Sequence, residues 1–255
     1  MTVGQSPTVH PEPGGSGHRL TPAAAGGART RLLGRVTANS RTHWALLTLN
    51  VAGALAFYAT FLIDGAVRAG YSPLDQPVSA LSLGPGGWVQ SASFVLFGAV
   101  GCATAFAWAA TLAGGLGGTW VPRLQLLAGL AMIVTGLFAQ DPANGFPLGA
   151  ATPAHPSVHA QVHLLASYVS FLATVATLVI MARRFAREPR WRGWASATVI
   201  AVVWMIGCLA AFGALTAHHG PAGVFEKAAT VPATLISVVL IARLMAARDA
   251  RLSTR

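Results

Sequence analysis

The sequence predicts an all-α, polytopic membrane protein: a six-transmembrane-helix bundle in the cell membrane, with cytoplasmic N- and C-termini. Its composition, six long apolar runs and the distribution of its arginines lead to this prediction. Of the 255 residues, 54% are hydrophobic and only 9% are charged, whereas a soluble domain carries roughly 25% charged residues. A soluble globule with so few charges could not cover its surface, but a bundle that faces lipid needs no such cover.

The chain begins with a segment that has no apolar periodicity. Residues 1–42 are rich in Pro, Gly, Ser and Thr and contain little to bury, which is typical of a disordered chain. We predict a disordered basic cytoplasmic tail here, because the segment is too polar to begin a secretory signal. The six-helix transmembrane domain is expected over residues 43–247, and a short basic cytoplasmic tail over residues 248–255.

Six apolar runs are long enough, or nearly so, to cross a bilayer. A hydrocarbon core about 30 Å thick needs about 20 apolar residues per helix, and lipid offers no partner for free backbone groups, so these runs must be helical. The third run is the shortest and is expected to lie nearly upright. The predicted spans are residues 44–63, 90–113, 122–139, 163–182, 194–216 and 228–246.

The basic residues predict the orientation. Fifteen of the 17 lysines and arginines fall on one side of the predicted topology, and only Arg68 and Lys227 fall on the other. An excess of these residues marks cytoplasmic loops. The net charge of +10 is therefore explained by an anionic membrane surface, and no nucleic-acid partner is expected.

Ionisable side chains collect on the opposite, outer side, which holds four of the seven carboxylates and five of the eight histidines. His159 and His163 lie four residues apart on one face of a helix with Pro156 in its first turn. This spacing lets two imidazoles bind one metal ion. Together with Asp141 and His218, they are the candidate ligands of a metal ion, for which zinc is the candidate. The alternative is that these side chains form interfacial hydrogen bonds and tie helices together.

The first outer loop is the second polar feature. Its VSALSL stretch predicts a short helix on the mouth of the bundle, and Tyr71 and Trp88 suit the interfacial aromatic belt. Asp75 in this loop and Glu226 at the start of the sixth span are the candidate catalytic residues, as groups able to move protons. The alternative interpretation is a cap whose polar groups satisfy its own turns.

Small residues in the apolar runs predict close packing. Cys102 and Cys208 each lie near the middle of a run and are expected to be small buried packing residues. The glycine-rich faces FGAVG and GLAMIVTG let helices approach closely. They predict tight packing and allow a homo-oligomer.

A set of motifs between about residues 44 and 246 resembles a known family pattern. The motifs are Tyr71-Ser72-Pro73, residues 77–88 (PVSALSLGPGGW), Phe94, Gly98, Gly136-Leu137-Phe138, Asp141-Pro142, His159, His163, Ala166, Gly223 and Glu226. In them the chain resembles the bacterial membrane family catalogued as domain of unknown function 998. It departs from the pattern at residues 138–140, where Phe-Pro is common, and in a long, proline-rich stretch at 142–159. The resemblance implies a six-helix layout and outer residues that form a unit, but no reaction.

Four classes of function are consistent with these observations, each with the lipid bilayer as partner and an unknown substrate. The first is a multi-pass membrane protein with an outward-facing pocket, lined by His and Asp, for a metal ion or small molecule. The second is a zinc-dependent membrane hydrolase that acts at the outer leaflet, with His159, His163 and either Asp141 or His218 as ligands. The third is a haem-binding electron carrier that uses His163 and His218. The fourth is a transporter or a structural partner protein.

Overall fold

The structure, a computed structural model, describes residues 1–2, 40–218 and 220–253. The chain divides into two units, Met1–Arg35 and Val36–Arg255, and the helices lie in the second. Residues 3–39 of the predicted disordered tail lie outside the described residues, as do His219 and residues 254–255.

Six α-helices, within the described residues, are each long and apolar enough to cross a membrane. They confirm the predicted all-α, multi-pass fold, and the third is the shortest span, as predicted. Short 3₁₀ helices cover Val78–Ser82 and Pro189–Trp191. The six helices are α1 (Arg41–Val67), α2 (Gly87–Thr111), α3 (Trp120–Leu137), α4 (Val158–Arg187), α5 (Arg192–Ala217) and α6 (Gly223–Ser253).

Successive helices run in opposite directions, so the bundle has two distinct ends. Residues 68–86 connect α1 to α2 and contain the first 3₁₀ helix; we call this segment the cap, and its side of the bundle the cap end. The other side is the arginine-rich end, where Arg184 donates a hydrogen bond to the carbonyl oxygen of Leu116 at 2.9 Å. The cytoplasmic location of this end stays a prediction.

The closest approach between two helices joins α2 to α3. A Cβ atom at Gly98 would lie 2.5 Å from the carbonyl oxygen of Gly129, and one at Gly129 would lie 2.7 Å from the carbonyl oxygen of Gly98. Only glycine lets the backbones come this close, so the tight packing predicted from FGAVG and GLAMIVTG is confirmed. Both cysteines are free thiols in packed positions, with Cys102 half-buried against Gly129 and Cys208 buried.

Apolar clusters close both ends of the bundle. The cap-end cluster lies beneath the cap, and the arginine-end cluster lies at the opposite end. A third cluster packs α5 against α4 and α6 from outside, through Leu178, Met205, Cys208 and Ala229. The cap-end cluster includes Phe57, Phe61, Tyr71, Leu81, Phe94 and Met132, and the arginine-end cluster includes Trp44, Leu47, Trp108, Phe185 and Leu240.

Helix α6 contains Pro232 in its interior. Proline has no backbone N–H, so the carbonyl of Ala228, four residues earlier, lacks its usual helical donor. The indole Nε1–H of Trp204 on α5 donates to this carbonyl at 2.9 Å. The tryptophan therefore replaces the missing hydrogen bond and joins α5 to α6 at the proline.

Candidate functional site

Asp141 holds the start of α4. Its Oδ2 accepts a hydrogen bond from the backbone N–H of Ser157 and its Oδ1 one from the Ser157 hydroxyl, both at 2.7 Å. Ser157 is the N-cap of α4, and its hydroxyl oxygen accepts the N–H of Ala160 at 3.1 Å, which satisfies one of the free N–H groups of the first turn. Pro156 therefore precedes the cap residue and does not lie in the first turn, contrary to the prediction.

His159 and His163 share a face of α4, but their surroundings differ. His163 is buried, and its Nδ1–H lies between the carbonyl oxygens of Thr135 at 3.0 Å and Phe138 at 2.7 Å. Because both partners are acceptors, Nδ1 carries the proton. His159 is exposed, and its ring centre lies 5.2 Å from that of Phe138.

The candidate metal ligands do not gather around one point. In the part of the chain that the structure describes, no group of three or more His, Cys, Asp or Glu side chains is placed to hold a metal ion. Asp141 and His163 are bonded as above, and His218 is an exposed residue at the C-terminal end of α5. Zinc binding stays a prediction from the sequence.

Glu226, a candidate catalytic residue, holds the cap onto α6. Its Oε2 accepts the backbone N–H of Val78, the first residue of the 3₁₀ helix, at 2.6 Å. Next to it, Lys227 donates from Nζ to the carbonyl oxygens of Pro73 at 2.9 Å and Gln76 at 2.8 Å. Glu226 therefore binds one N–H group of the cap backbone, and Lys227 binds two of its carbonyl groups.

Asp75, the other candidate catalytic residue, belongs to the same contact. Its carbonyl oxygen accepts the N–H of Gly223 at 3.2 Å, and its carboxylate accepts the hydroxyl of Ser72. A Cβ atom at Gly223 would lie 2.1 Å from the carbonyl oxygen of Gln76, so only glycine fits where α6 begins. The loop is thus a cap whose polar groups bond to itself and to α6.

Tyr71 is a cap residue whose side chain is buried, so its predicted place in the interfacial belt is wrong. Its side chain is 8% exposed, and its hydroxyl donates to the carbonyl oxygen of Pro77 at 3.2 Å. Burial, together with the negative charges of Glu226 and Asp64, raises the pKa of the Tyr71 hydroxyl above its ordinary value. Trp88 is 75% exposed, as the belt requires.

Arg68 holds the other end of the cap. Its Nη2 lies 2.7 Å from Oδ2 of Asp64 in an ion pair, while Nη1 donates to the carbonyl oxygens of Leu83 at 3.1 Å and Pro85 at 2.9 Å. The two basic residues predicted on the outer side, Arg68 and Lys227, therefore share one role. Both bind backbone carbonyls of the cap.

A cavity of about 220 Å³ lies within the bundle, lined by residues of α1, α2, α3, α4 and α6. Its wall is mostly apolar and includes Phe57 and Met132 toward the cap end and Trp108 and Phe185 toward the arginine-rich end. No charged residue is among the described residues that line it. None of the predicted site residues lines it either, so this cavity is not the His/Asp-lined pocket expected from the sequence, and that pocket stays a prediction.

Uncharged polar side chains line this cavity at helical spacing. The sequence analysis did not identify them, although hydroxyl residues spaced alternately by three and four positions on an apolar helix are a readable signal. On α4 the same spacing continues through Ser167 to His163. The polar lining residues are Asn50 and Tyr58 on α1, Gln125 on α3, Ser170, Thr174 and Thr177 on α4, and Thr230, Thr234 and Ser237 on α6.

The polar side chains of α1 and α6 bond to each other beside the cavity. The hydroxyl oxygen of Tyr58 lies 2.7 Å from that of Thr230 and 3.3 Å from that of Thr234. Nearer the arginine-rich end, Ser237 donates to Oδ1 of Asn50 at 3.4 Å. We call this line of contacts the α1–α6 seam.

A comparison with protein families finds one match, over residues 51–243. The matched range runs from α1 into α6 and contains the cap and all the residues that line the cavity except Asn50. No curated protein and no solved structure matches the chain. The resemblance seen in the motifs is confirmed, and the chain belongs to the family described as protein of unknown function (DUF998).

Proposed function

We propose that this protein binds a small, uncharged, mostly apolar molecule in the central cavity of its helix bundle. The observation that carries the proposal is the cavity itself, about 220 Å³ in volume, with apolar walls and nine uncharged polar side chains. Apolar cavities of roughly 150 Å³ already bind benzene-sized ligands. Polar side chains within membrane spans are costly and favour function.

The lining also supports a more specific ligand chemistry. The hydroxyls of Thr174 and Thr177 each donate to the carbonyl four residues earlier, at 2.9 Å, so their oxygens still have lone pairs to accept hydrogen bonds. The Gln125 amide faces the same space with no hydrogen-bond partner among the described residues. A ligand with a hydroxyl or N–H group on an apolar body matches these groups. A charged ligand would find no counter-ion.

The other candidate functions have less support. A zinc hydrolase needs three protein ligands around an open position, and an axial haem ligand needs a nitrogen directed at the iron. Among the described residues, no group of three or more His, Cys, Asp or Glu side chains is placed to hold a metal ion, and His163 is buried whereas His218 is exposed, so they are not a buried pair across the bundle. A binding cavity is equally suited to a carrier of the bound molecule, so transport is a use of the proposed site and not a competing one.

The proposal places the protein in the cell membrane with its arginine-rich end in the cytoplasm, since an excess of arginine marks cytoplasmic segments. Cysteine labelling in whole cells tests this, starting from a chain with Cys102→Ala and Cys208→Ala. The exposed Ala150→Cys, between α3 and α4, should react with an impermeant maleimide. The exposed Ala186→Cys, at the opposite end of α4, should react only after lysis.

Binding is tested with aminoanthracene, a neutral fluorescent amine, added to the protein in nanodiscs. Thr174→Phe places a ring in the cavity and is expected to weaken binding by about tenfold or more, since it removes the space that the ligand fills. The matched control is Leu172→Phe, which adds a ring on the lipid face of the same helix, where Leu172 is 68% exposed. Equal probe binding by both variants and by empty nanodiscs would refute the proposal.

A further inference from the structure

We infer that the bound molecule comes from the lipid phase and reaches the cavity by separation of α1 and α6 along their seam. This inference rests on the proposed function and adds the source and route of the ligand. It makes the ligand a bilayer-soluble compound, not one taken from water at either end of the bundle.

A buried apolar cluster lies at each end of the cavity. Toward the cap end, the cap-end cluster fills the space between the helices, and the cap above it is fixed to α1 by Arg68 and to α6 by Glu226 and Lys227. Toward the arginine-rich end, Trp108, Phe185 and the rest of the arginine-end cluster fill the space. A ligand from the aqueous phase would have to displace a buried cluster.

The sides of the cavity are unequally closed. Helices α2 and α3 are held together by glycine contacts that leave no space between their backbones. Behind α4 and α6, helix α5 covers the gap through Met205 and Cys208. The contact between α1 and α6 is less extensive than that between α1 and α2, α2 and α3, or α3 and α4, and, of the neighbouring pairs around the cavity, only α4 and α6, which α5 covers, touch each other less. The α1–α6 seam is therefore the side with the least apolar contact to break.

The contacts across the seam suit reversible opening. Tyr58 with Thr230 and Thr234, and Asn50 with Ser237, are hydrogen bonds between uncharged side chains, which are individually weak between membrane helices. The same groups line the cavity. A ligand hydroxyl can therefore replace the partner that each side chain loses when the helices separate.

Pro232 gives α6 a place to bend. It lies between Thr230 and Thr234, and helix kinks concentrate at proline. The half of α6 before Pro232 is fixed by the cap contacts of Glu226 and by the hydrogen bond from Trp204 to the Ala228 carbonyl. The half after the proline carries Ser237, so the seam should open at the Asn50–Ser237 contact.

A reversible cross-link tests this route. In a chain with Cys102→Ala and Cys208→Ala, Asn50→Cys and Ser237→Cys are joined by a short bis-thiosulfonate linker that reduction removes. The matched control joins Thr135→Cys to Ser167→Cys across α3 and α4, because these hydroxyls are also 3.4 Å apart. Stopped-flow fluorescence with aminoanthracene measures association before and after reduction of each protein.

Linking positions 50 and 237 is expected to slow association by about tenfold or more, with full recovery on reduction, as for other steps limited by opening. Linking 135 to 167 should leave the rate unchanged. Unslowed association with the 50–237 link intact would overturn the route. Failure of the wild-type protein to bind the probe would instead refute the proposed function, and the route with it.

A second variant tests the bend without a cross-link. Pro232→Ala restores the N–H that can bond to the Ala228 carbonyl and so makes α6 harder to bend at this position. Association and dissociation of the probe should both slow, with the dissociation constant nearly unchanged, because only the opening step is affected. Unchanged rates would contradict the role of the proline.

Discussion

Asp141 accepts both hydrogen bonds that Ser157 can donate, one from the backbone N–H and one from the hydroxyl, each at 2.7 Å. The carboxylate thus fixes the residue that caps α4, across a connection of fifteen residues. A residue first considered as a metal ligand is in this way part of a helix-capping network.

Asp141→Asn should destabilise the protein by about 1–2 kcal/mol, because the amide has one acceptor oxygen where the carboxylate has two. Thermal unfolding in detergent measures the change. The control is His155→Ala, an exposed substitution in the same loop, which should have little effect. Equal melting temperatures for the two variants would contradict the capping role.

Removal of metal ions tests whether Asp141 acts only as a helix-capping residue or also as a zinc ligand. Treatment of the purified protein with EDTA should leave its melting temperature unchanged, since no group of three or more His, Cys, Asp or Glu side chains among the described residues is placed to hold a metal ion. A lowered melting temperature that zinc restores, and that His159→Ala abolishes, would instead support the zinc site.

The contact between the cap and α6 depends on a missing side chain. Gly223→Ala would place Cβ 2.1 Å from the carbonyl oxygen of Gln76, so the cap must move and the protein should lose about 2 kcal/mol or more. Gly213→Ala on α5 meets nothing within 4 Å and should be neutral or slightly stabilising. Limited proteolysis should cut the cap faster in Gly223→Ala alone; equal cutting would contradict the contact.

The raised pKa of Tyr71 predicts a loss of stability at alkaline pH. The folded state holds the Tyr71 proton more tightly than the unfolded chain, for which the pKa is about 10. The contribution of the protonated Tyr71 hydroxyl to the free energy of unfolding is therefore fully present below pH about 10. It falls as the pH rises above that value. Tyr71→Phe should be less stable than the wild type at pH 8 and should lose less stability between pH 9 and 11, measured by denaturant unfolding. Parallel pH profiles would refute this.

Trp204 and Pro232 should show coupled effects. Trp204→Phe removes the donor to the Ala228 carbonyl and should cost about 1 kcal/mol. In a Pro232→Ala chain, the backbone N–H at position 232 can take over that carbonyl, so the same tryptophan change should cost less. A double-mutant cycle of unfolding free energies measures the difference; additive effects would show that the indole does not replace the missing bond.

The spans were predictable because hydropathy is a local property of the sequence. The partners of Asp141 were not, since the path of the connection to Ser157 leaves no periodic signal. The role of Glu226 was missed for a similar reason, because its partner is the backbone N–H of Val78, and every residue except proline has such a group.

The cavity was partly predictable from the sequence. Ser170, Thr174 and Thr177 are visible in the sequence as a polar stripe on an apolar helix. That this stripe faces Tyr58 and Thr230 across one space depends on how five helices pack, which no single helix pattern contains. The residue types of the site were therefore readable, but their convergence was not.

Lys227 is the only lysine among the 255 residues, and its three ammonium protons point to the carbonyl oxygens of Pro73, Gln76 and Gly223. Lys227 is therefore the one side-chain amine with which an amine-directed reagent can react. Its ammonium group is hydrogen-bonded while the cap contacts α6. The extent of Lys227 acylation relative to that of the N-terminal amine, quantified by peptide mass spectrometry, would measure how often the cap separates from α6 in living cells.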